Sequence, residues 1–588
     1  MHQPPDSVVL FRCALLVLSS AVSAAVIDTR GAEVPGAITD AQWTALSDQL
    51  KGNLHPVEPL PRSCFSNFNG RHVTVNEAQC MEIQDTWLNT TSRTSTYPGY
   101  FHAYGDNCIS DAAETCALDL NDPTAPVNGQ CNTNNMAQRY IEVTGPQDAQ
   151  AAFRFAKKNK VALSIKSSGH DYLSRSSGRE TLALWTRNLK GLEFHHAFRP
   201  QGVYTEPVMA VTIGSGINAN EATAFSDKHG VTIVSGSSGT VSVAGGWSLF
   251  GGHSVLSPQY GLGVDRILEI NIVTPDGEIR TCNSAQNQDL FWALRGAGGG
   301  AFGVVLNATM KAEPAIPVTF AVLTLPPTPG NQDAFLKILI DNTPKWSSDR
   351  WGGIMTPSSM TMIGPHLDQA AAKKSLAPAV DFVKGQNGTM VFQQYKTYND
   401  FFVQNIAVSP GDIGQGALVS FRVLPKRFHK TKDGKSSLHS FLVDQVSKGL
   451  APTIFLTTPA QYDYTDNSTS INPAWRDSYW DLGFTQMYSW NATNDGRRTV
   501  ATSIQQLSAD LTALAPDGAA YPNEADPWIK DWQKAFWGDN YAPLAAIKAK
   551  YDPDSLLHCW KCIGFDDSRS QKGARYNCMA SYEGLVNY

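Results

Sequence analysis

VALSIKSSGHDYLSRSSG, residues 161–178, joins an apolar β-type run directly to Ser-Ser-Gly-His-Asp-Tyr and then to a second Ser/Gly cluster. Serines and a glycine suit a turn. They do not account for a histidine at the end of a strand, where a glycine beside it lets the backbone approach a ligand closely. Upstream, YIEVTGPQDAQAAFRFAKKNK (140–160) reads as a strand, a Gly145-Pro146 turn and a helix with Ala149, Ala152, Phe153 and Ala156 at helical spacing. Asp148 lies near the helix start, where an acid is favoured. The stretch therefore closes a β-α-β unit, and His170 stands at its exit.

Outward from this unit, strands and glycine turns alternate to about residue 314: TLALWT, VMAVTIGSG, VTIVSG and ILEINIVTPDGEIRTC, the last folded into a hairpin by Pro275-Asp276-Gly277. Beyond Pro314 glycine thins out, and longer strands (VTFAVLTLPP, TMVFQQYKTY, GALVSFRVLP, APTIFLTTP, LGFTQMYSW) alternate with helical stretches. The expectation is an α+β chain whose second α+β domain covers about 315–520, followed by a C-terminal segment 521–588. Residues 25–129 are Cys-, Asn- and Pro-rich and read as a loop-rich, disulfide-stapled region.

Residues 1–24 read as a secretory signal, an apolar run ending on small residues around Val22-Ser23-Ala24. No later segment is long and apolar enough to cross a membrane. Removing Cys13 with the leader leaves nine cysteines, an odd number. Cys282 stands alone in GEIRTCN and is expected to be free, and Cys64, Cys80, Cys108, Cys116, Cys131, Cys559, Cys562 and Cys578 to pair. Sequons at Asn89, Asn307, Asn387, Asn467 and Asn491 fit a secreted, extracellular glycoprotein. The net charge of −6 over 588 residues leaves no basic footprint for nucleic acid.

Three glycine clusters, 167–171, 236–254 and 295–305, fall within one domain-sized stretch. Successive backbone N–H groups in such turns form nests for anions, and with no Lys/Arg cluster nearby they suit a pyrophosphate held by amides. No Rossmann or Walker signature, no Gly-x-Ser-x-Gly elbow and no His-Glu-x-x-His helix is present. No metal site is expected, and His195-His196 reads as a solvated pair.

IKSSGHDY, GGWSLFGGHSVLSPQYGLGVD, DLFWALRGAGGGAFGVV, NPAWRD and WGDNYAPLAAIKAKYDPD follow the order and spacing of vanillyl-alcohol-oxidase-type (PCMH-type) flavoproteins. The chain most resembles the berberine-bridge-enzyme-like branch, and within it fungal secreted isoamyl-alcohol-oxidase-like proteins, from about residue 130 to the end. The resemblance implies a two-lobed fold: an FAD domain from 130–314 plus the C-terminal segment, with an inserted substrate domain built on an antiparallel sheet with helices. It implies that His170 bonds covalently to FAD, with Ser167, Ser168, Gly169 and Asp171 on the pyrophosphate turn. Gly239, Gly245, Gly246, Gly251, Gly252 and His253 match the second glycine motif, Phe302, Gly303, Val304 and Val305 the third, and Asn540 and Tyr541 the returning contact. Many relatives carry a second flavin link through a cysteine where Gly239 stands. No cysteine lies between 236 and 254, so a single link is expected. Trp247 also replaces a frequent histidine.

The implied chemistry is hydride transfer from an alcohol, sugar or aromatic substrate to FAD, with O2 reduced to H2O2. Relatives take the base from the substrate-domain sheet, and Tyr395 and Tyr488 are the candidates on strands here. Two other readings share the scaffold: a secondary-metabolism enzyme doing oxidative cyclisation or desaturation, and a flavin-free binding glycoprotein.

Overall fold

The computed structural model describes residues 38–100, 108, 115–125, 127, 129–133, 135–407, 416–566 and 574–587. The expected leader and Cys13 lie outside the described residues.

Helix α1 (Asp40–Gln49) and strand β1 (Leu54–Pro56) precede β2 (Arg139–Glu142), helix α2 (Pro146–Asn159), β3 (Ala162–Lys166) and β4 (Thr181–Trp185). The anticipated β-α-β unit forms, with one difference. β2 and β3 each run parallel to β4, which lies between them, and β1 adds antiparallel to β2. All five residues of β4 are buried, and an apolar run covered on both faces takes a central place. Ala149, Ala152, Phe153 and Ala156 of α2 are buried as their spacing predicts. Trp43 and Leu46 of α1 pack into the same core. The segment 40–56, counted in sequence with the Cys-rich region, thus belongs to the first sheet.

The second sheet holds β5 (Leu192–Phe198), β6 (Val208–Gly214), β7 (Ile267–Val273), β8 (Ile279–Cys282) and β9 (Val304–Lys311), in the order β8-β7-β9-β6-β5 and antiparallel throughout. The β7–β8 hairpin turns at Gly277, whose φ of 85° requires glycine. VTIVSG forms only the short pairing of Val231–Thr232 with Glu313–Pro314.

Seven antiparallel strands make the third sheet: β10 (Val318–Thr324), β11 (Gly352–Thr356), β12 (Ser359–Pro365), β13 (Thr389–Tyr395), β14 (Gly416–Pro425), β15 (Thr453–Leu456) and β16 (Ser478–Tyr488). Their order is β13-β10-β12-β11-β15-β16-β14. Helices α3 (Pro329–Ser348), α4 (Lys432–Ser447) and α5 (Asn494–Leu514) belong to the same stretch of chain. The even residues of β16 face helices: Trp480 Nε1 donates to Thr343 Oγ1 of α3 at 2.8 Å, and Phe484 meets Phe441 of α4 edge-on. Side chains alternate along a strand, so the odd residues, Asp481 among them, face the other way.

The C-terminal helix α6 (Tyr541–Tyr551) returns to the first two sheets. Lys548 Nζ donates to Ala301 O at 2.6 Å and pairs with buried Asp552, while Leu163 N donates to Leu556 O at 2.8 Å on the edge of β3. Disulfides join Cys64–Cys80, Cys108–Cys578, Cys116–Cys131 and Cys559–Cys562, and Cys282 is free and buried, as expected from the sequence. Burial raises the Cys282 thiol to about 12, which makes it inert rather than reactive. Of the five sequons, Asn89, Asn387, Asn467 and Asn491 are exposed. Asn307 differs: it is half-buried within β9, and its Oδ1 accepts from Asn271 at 2.9 Å, a poor place for a glycan.

Candidate active site

One cavity of about 370 Å³ collects residues from five parts of the chain. Ser167, Ser168, Gly169, His170 and Asp171 line it from the exit of β3, Gly239, Gly245, Gly246 and His253 from the second glycine cluster, and Gly299 from the third. Ile354 and Phe455 line it from the seven-stranded sheet, and Tyr521, Asn523 and Glu524 from the segment before α6. The glycine loops are tied at one carbonyl. Ser215 O accepts from Ser167 Oγ at 2.7 Å and from Ser242 Oγ at 2.6 Å, and Gly245 N donates to that same Ser242 Oγ at 3.0 Å.

Gly169 has φ +93°, and a Cβ there would lie 2.2 Å from Tyr100 O. That close approach sets His170 against Tyr100, ring centroids 4.4 Å apart. His170 Nε2 lies 2.8 Å from Thr240 Oγ1, and its carbonyl accepts from Asn523 Nδ2 at 3.0 Å. Burial, with the nearby Lys166 charge, lowers the imidazole to about 3 and keeps it neutral. With Nε2–H assigned as donor to Thr240, the lone pair sits on Nδ1, which makes no hydrogen bond to the described residues. Asp171 caps the turn, accepting from Arg175 N at 2.6 Å and pairing with the Arg175 guanidinium at 2.7 Å.

The other positions matched in sequence hold the walls rather than line the cavity. Gly251 and Gly252 carry carbonyls that accept from Val264 N and Gly263 N, and a Cβ on Gly252 would strike the Trp247 indole at 3.0 Å. Trp247 does line the cavity, and its Nε1 donates to His253 O at 3.2 Å. Phe302 is fully buried, and Gly303 packs where a Cβ would lie 2.2 Å from Val273 O. Val304 and Val305 are in register with Val273 and Ile272 in the second sheet. Asn540 Nδ2 donates to Ile471 O at 2.8 Å, and Tyr541 packs among Trp532 and Trp537.

Neither tyrosine expected as base lines the cavity. Tyr488 shares the even-numbered face of β16 with Trp480, Leu482 and Phe484, the helix side. Tyr395 sits on the edge strand β13, three strands from the cavity-lining β11, with its hydroxyl accepting from Asn405 Nδ2 at 2.9 Å. Besides His170 and Asp171, the titratable groups that meet the cavity include His253, expected from the second glycine motif, and Glu524 and Tyr521, which went unread in the sequence. His253 Nδ1 lies 2.8 Å from Thr457 Oγ1, and its Nε2 lies 3.2 Å from Glu524 Oε1. Burial works against a charged His253, yet Glu524 and Asp481 outweigh it and raise its pKa. Tyr521 lies beside them, its phenol pushed up by burial and by Glu524. The alternation in SYWDLGFTQMY carried a signal: apolar even positions mark the packed face, so Asp481, not Tyr488, belongs to the cavity side.

The site suits a large ligand with an anionic bridge. Close-packed backbone at Gly169, Gly245 and Gly299 leaves no room for side chains, a Cβ on Gly245 falling 2.3 Å from Ser215 O. Asn220 lines the cavity with a buried Oδ1 that has no partner among the described residues. A Cβ at Gly239 would lie 2.2 Å from that same atom, so Asn220 occupies the space a side chain at Gly239 would need.

Comparison with known proteins identifies the family. Residues 137–283 match the model of an FAD binding domain, and residues 520–563 that of berberine and berberine-like proteins. The chain is 49% identical over 555 residues to the FAD-linked oxidoreductase cheF of Chaetomium globosum, covering 94% of this chain and 90% of that protein. It is 42% identical to the FAD-linked oxidoreductase OXR2 of Pyricularia oryzae, covering 94% and 96%. Among solved structures it matches the VAO-type flavoprotein MtVAO615 from Myceliophthora thermophila C1 with a TM-score of 0.76 and 27% identity, covering 90% of this chain and 96% of that one. The chain belongs to the FAD-linked oxidoreductases of the vanillyl-alcohol-oxidase type, in their berberine-bridge-enzyme-like branch.

Proposed function

We propose that this oxidoreductase is a secreted, glycosylated oxidase that holds FAD through a single covalent bond to His170 and oxidises a hydroxyl-bearing substrate, releasing H2O2. The observation that carries the reading is the convergence of neutral His170, the glycine turns and the His253–Glu524 pair on one cavity. FAD, when bound, accepts the hydride and passes the electrons to O2. The remaining steps belong to the chain.

His170 is a neutral nucleophile with its Nδ1 lone pair open, and Thr240 Oγ1, 2.8 Å from Nε2, accepts the hydrogen bond that would support positive charge developing on the ring. Amides of the 167–171, 236–246 and 299 turns bind the anionic bridge. The substrate hydroxyl gives its proton to the Glu524 carboxylate, which His253 orients, while Thr457 fixes the His253 ring at 2.8 Å. Phe455, Ile354, Trp247, Phe250 and Val255 supply an apolar wall that excludes water and suits an alcohol with an aromatic or alkyl body.

Peroxide release from a panel of alcohols, sugars and aromatic alcohols tests the reading. Vigorous peroxide with a simple member is expected. Glu524→Gln should retain FAD and lose about 10²- to 10⁴-fold in flavin reduction rate. Turnover confined to a complex metabolite without peroxide would favour oxidative cyclisation or desaturation instead.

A further inference from the structure

Asp481 is a carboxylic acid with no assigned task. It lies on β16 between Phe455 of β15 and Val423 of β14, is fully buried, and neither of its oxygens has a hydrogen-bond partner among the described residues. Direct neighbours across an antiparallel pair share a face, so Asp481 points to the side on which Phe455 lines the cavity. There it meets His253 and Glu524: one ligating atom from each of the three lies within 4.8 Å of the other two. Glu524 Oε2 is likewise buried without a partner among the described residues. Two carboxyl groups this close, one of them fully buried, do not both ionise readily.

We propose that Asp481 is a positioning residue that keeps its proton beside Glu524, so that the two carboxyl groups and His253 act as one proton-accepting unit whose strength Asp481 sets. This rests on the reading of Glu524 as the proton acceptor. While Asp481 is protonated, the unit holds one negative charge, on Glu524, against His253. When Asp481 gives up its proton, the added negative charge strengthens the unit's hold on the substrate hydroxyl proton. The balance is simple: the hydroxyl O–H breaks, its proton goes to Glu524, and the hydride goes to FAD. The other charged or titratable groups facing the cluster are Tyr521, from the same segment as Glu524, and beyond it the Asp171–Arg175 pair. The flanking strand positions, Phe455 and Val423, carry no charge. Burial, then Glu524, raises Asp481 to about 7, in keeping with this geometry.

Two readouts on the FAD-loaded full chain test it. The first needs no substrate. The folded chain retains a proton at Asp481 that the unfolded chain loses near about pH 4. Stability from this group is therefore present below that pH and fades as pH rises through about 7. The melting temperature of wild type should fall relative to Asp481→Asn across that window, and Glu524→Gln, which removes the neighbouring charge, should move the fall to lower pH. Parallel wild-type and Asp481→Asn curves would overturn the proposal, as would a stoichiometric divalent metal in the purified protein. The second readout is the anaerobic flavin reduction rate between about pH 5 and 9, which should rise through the Asp481 titration in wild type and be flat in Asp481→Asn. A rise kept in Asp481→Asn would also overturn it. If the stability curves behave as expected while Glu524→Gln reduces flavin at the wild-type rate, the fault lies in the choice of Glu524 as acceptor and not in the protonated Asp481.

Discussion

Thr240→Val deletes one hydroxyl at a buried position and nearly keeps the side-chain outline. What it removes is the partner 2.8 Å from His170 Nε2. On the proposed attachment, bonding of His170 Nδ1 to carbon would leave positive charge on the ring, and the Nε2–H bond to Thr240 would become charge-assisted. Such a bond is worth about 1.5–3 kcal/mol. At about 1.4 kcal/mol per decade, its loss slows covalent attachment roughly ten- to hundredfold. The assay is reconstitution of FAD-free protein with FAD, followed by flavin fluorescence that survives denaturing electrophoresis. Thr240→Ser keeps the hydroxyl and should recover most of the rate. Attachment at the wild-type rate in Thr240→Val, or a slow rate that Thr240→Ser does not relieve, would refute the role given to Nδ1 and Thr240.

Other outcomes follow from the same geometry. His170 is held neutral down to about pH 3, so covalent incorporation at pH 5 should equal that at pH 7, and a clear loss at pH 5 would contradict the lowered pKa. Gly169→Ala places a methyl 2.2 Å from Tyr100 O at a positive φ, which should destabilise the fold by about 2–4 kcal/mol and lower the melting temperature and FAD content together. Asp265→Asn strips the carboxylate that grips Arg476 through two contacts of 2.7 and 2.6 Å, both side chains nearly buried. The unpaired guanidinium should cost about 3–5 kcal/mol, read as a lower denaturation midpoint.

The residues that proved easiest to read in sequence are those whose physics is local. Gly169 announces a left-handed turn, the alanines of α2 announce a buried face, and the lone Cys282 announces a free thiol; each depends on a few neighbours. Tyr100 against His170 depends instead on folding the loop-rich N-terminal region back across the first sheet, for which no periodicity exists. β4 entering between β2 and β3 is a choice among strand orders that the strands' own sequences leave open. Glu524 is one acid among 53 Asp and Glu residues, and only the return of the C-terminal segment brings it to His253. Tyr488 misled because its residue type suits a base, while the two-residue alternation of its own strand assigns it to the helix side and Asp481 to the cavity.

The central claim is that His170 holds the flavin. The direct measurement is the absorbance spectrum of the purified protein, followed by acid precipitation, for wild type and His170→Ala. The account expects a yellow protein whose colour stays in the wild-type pellet and passes to the supernatant in His170→Ala. Colour released from wild type would reduce His170 to a contact residue, and a colourless protein unable to take up FAD would contradict the account at its root.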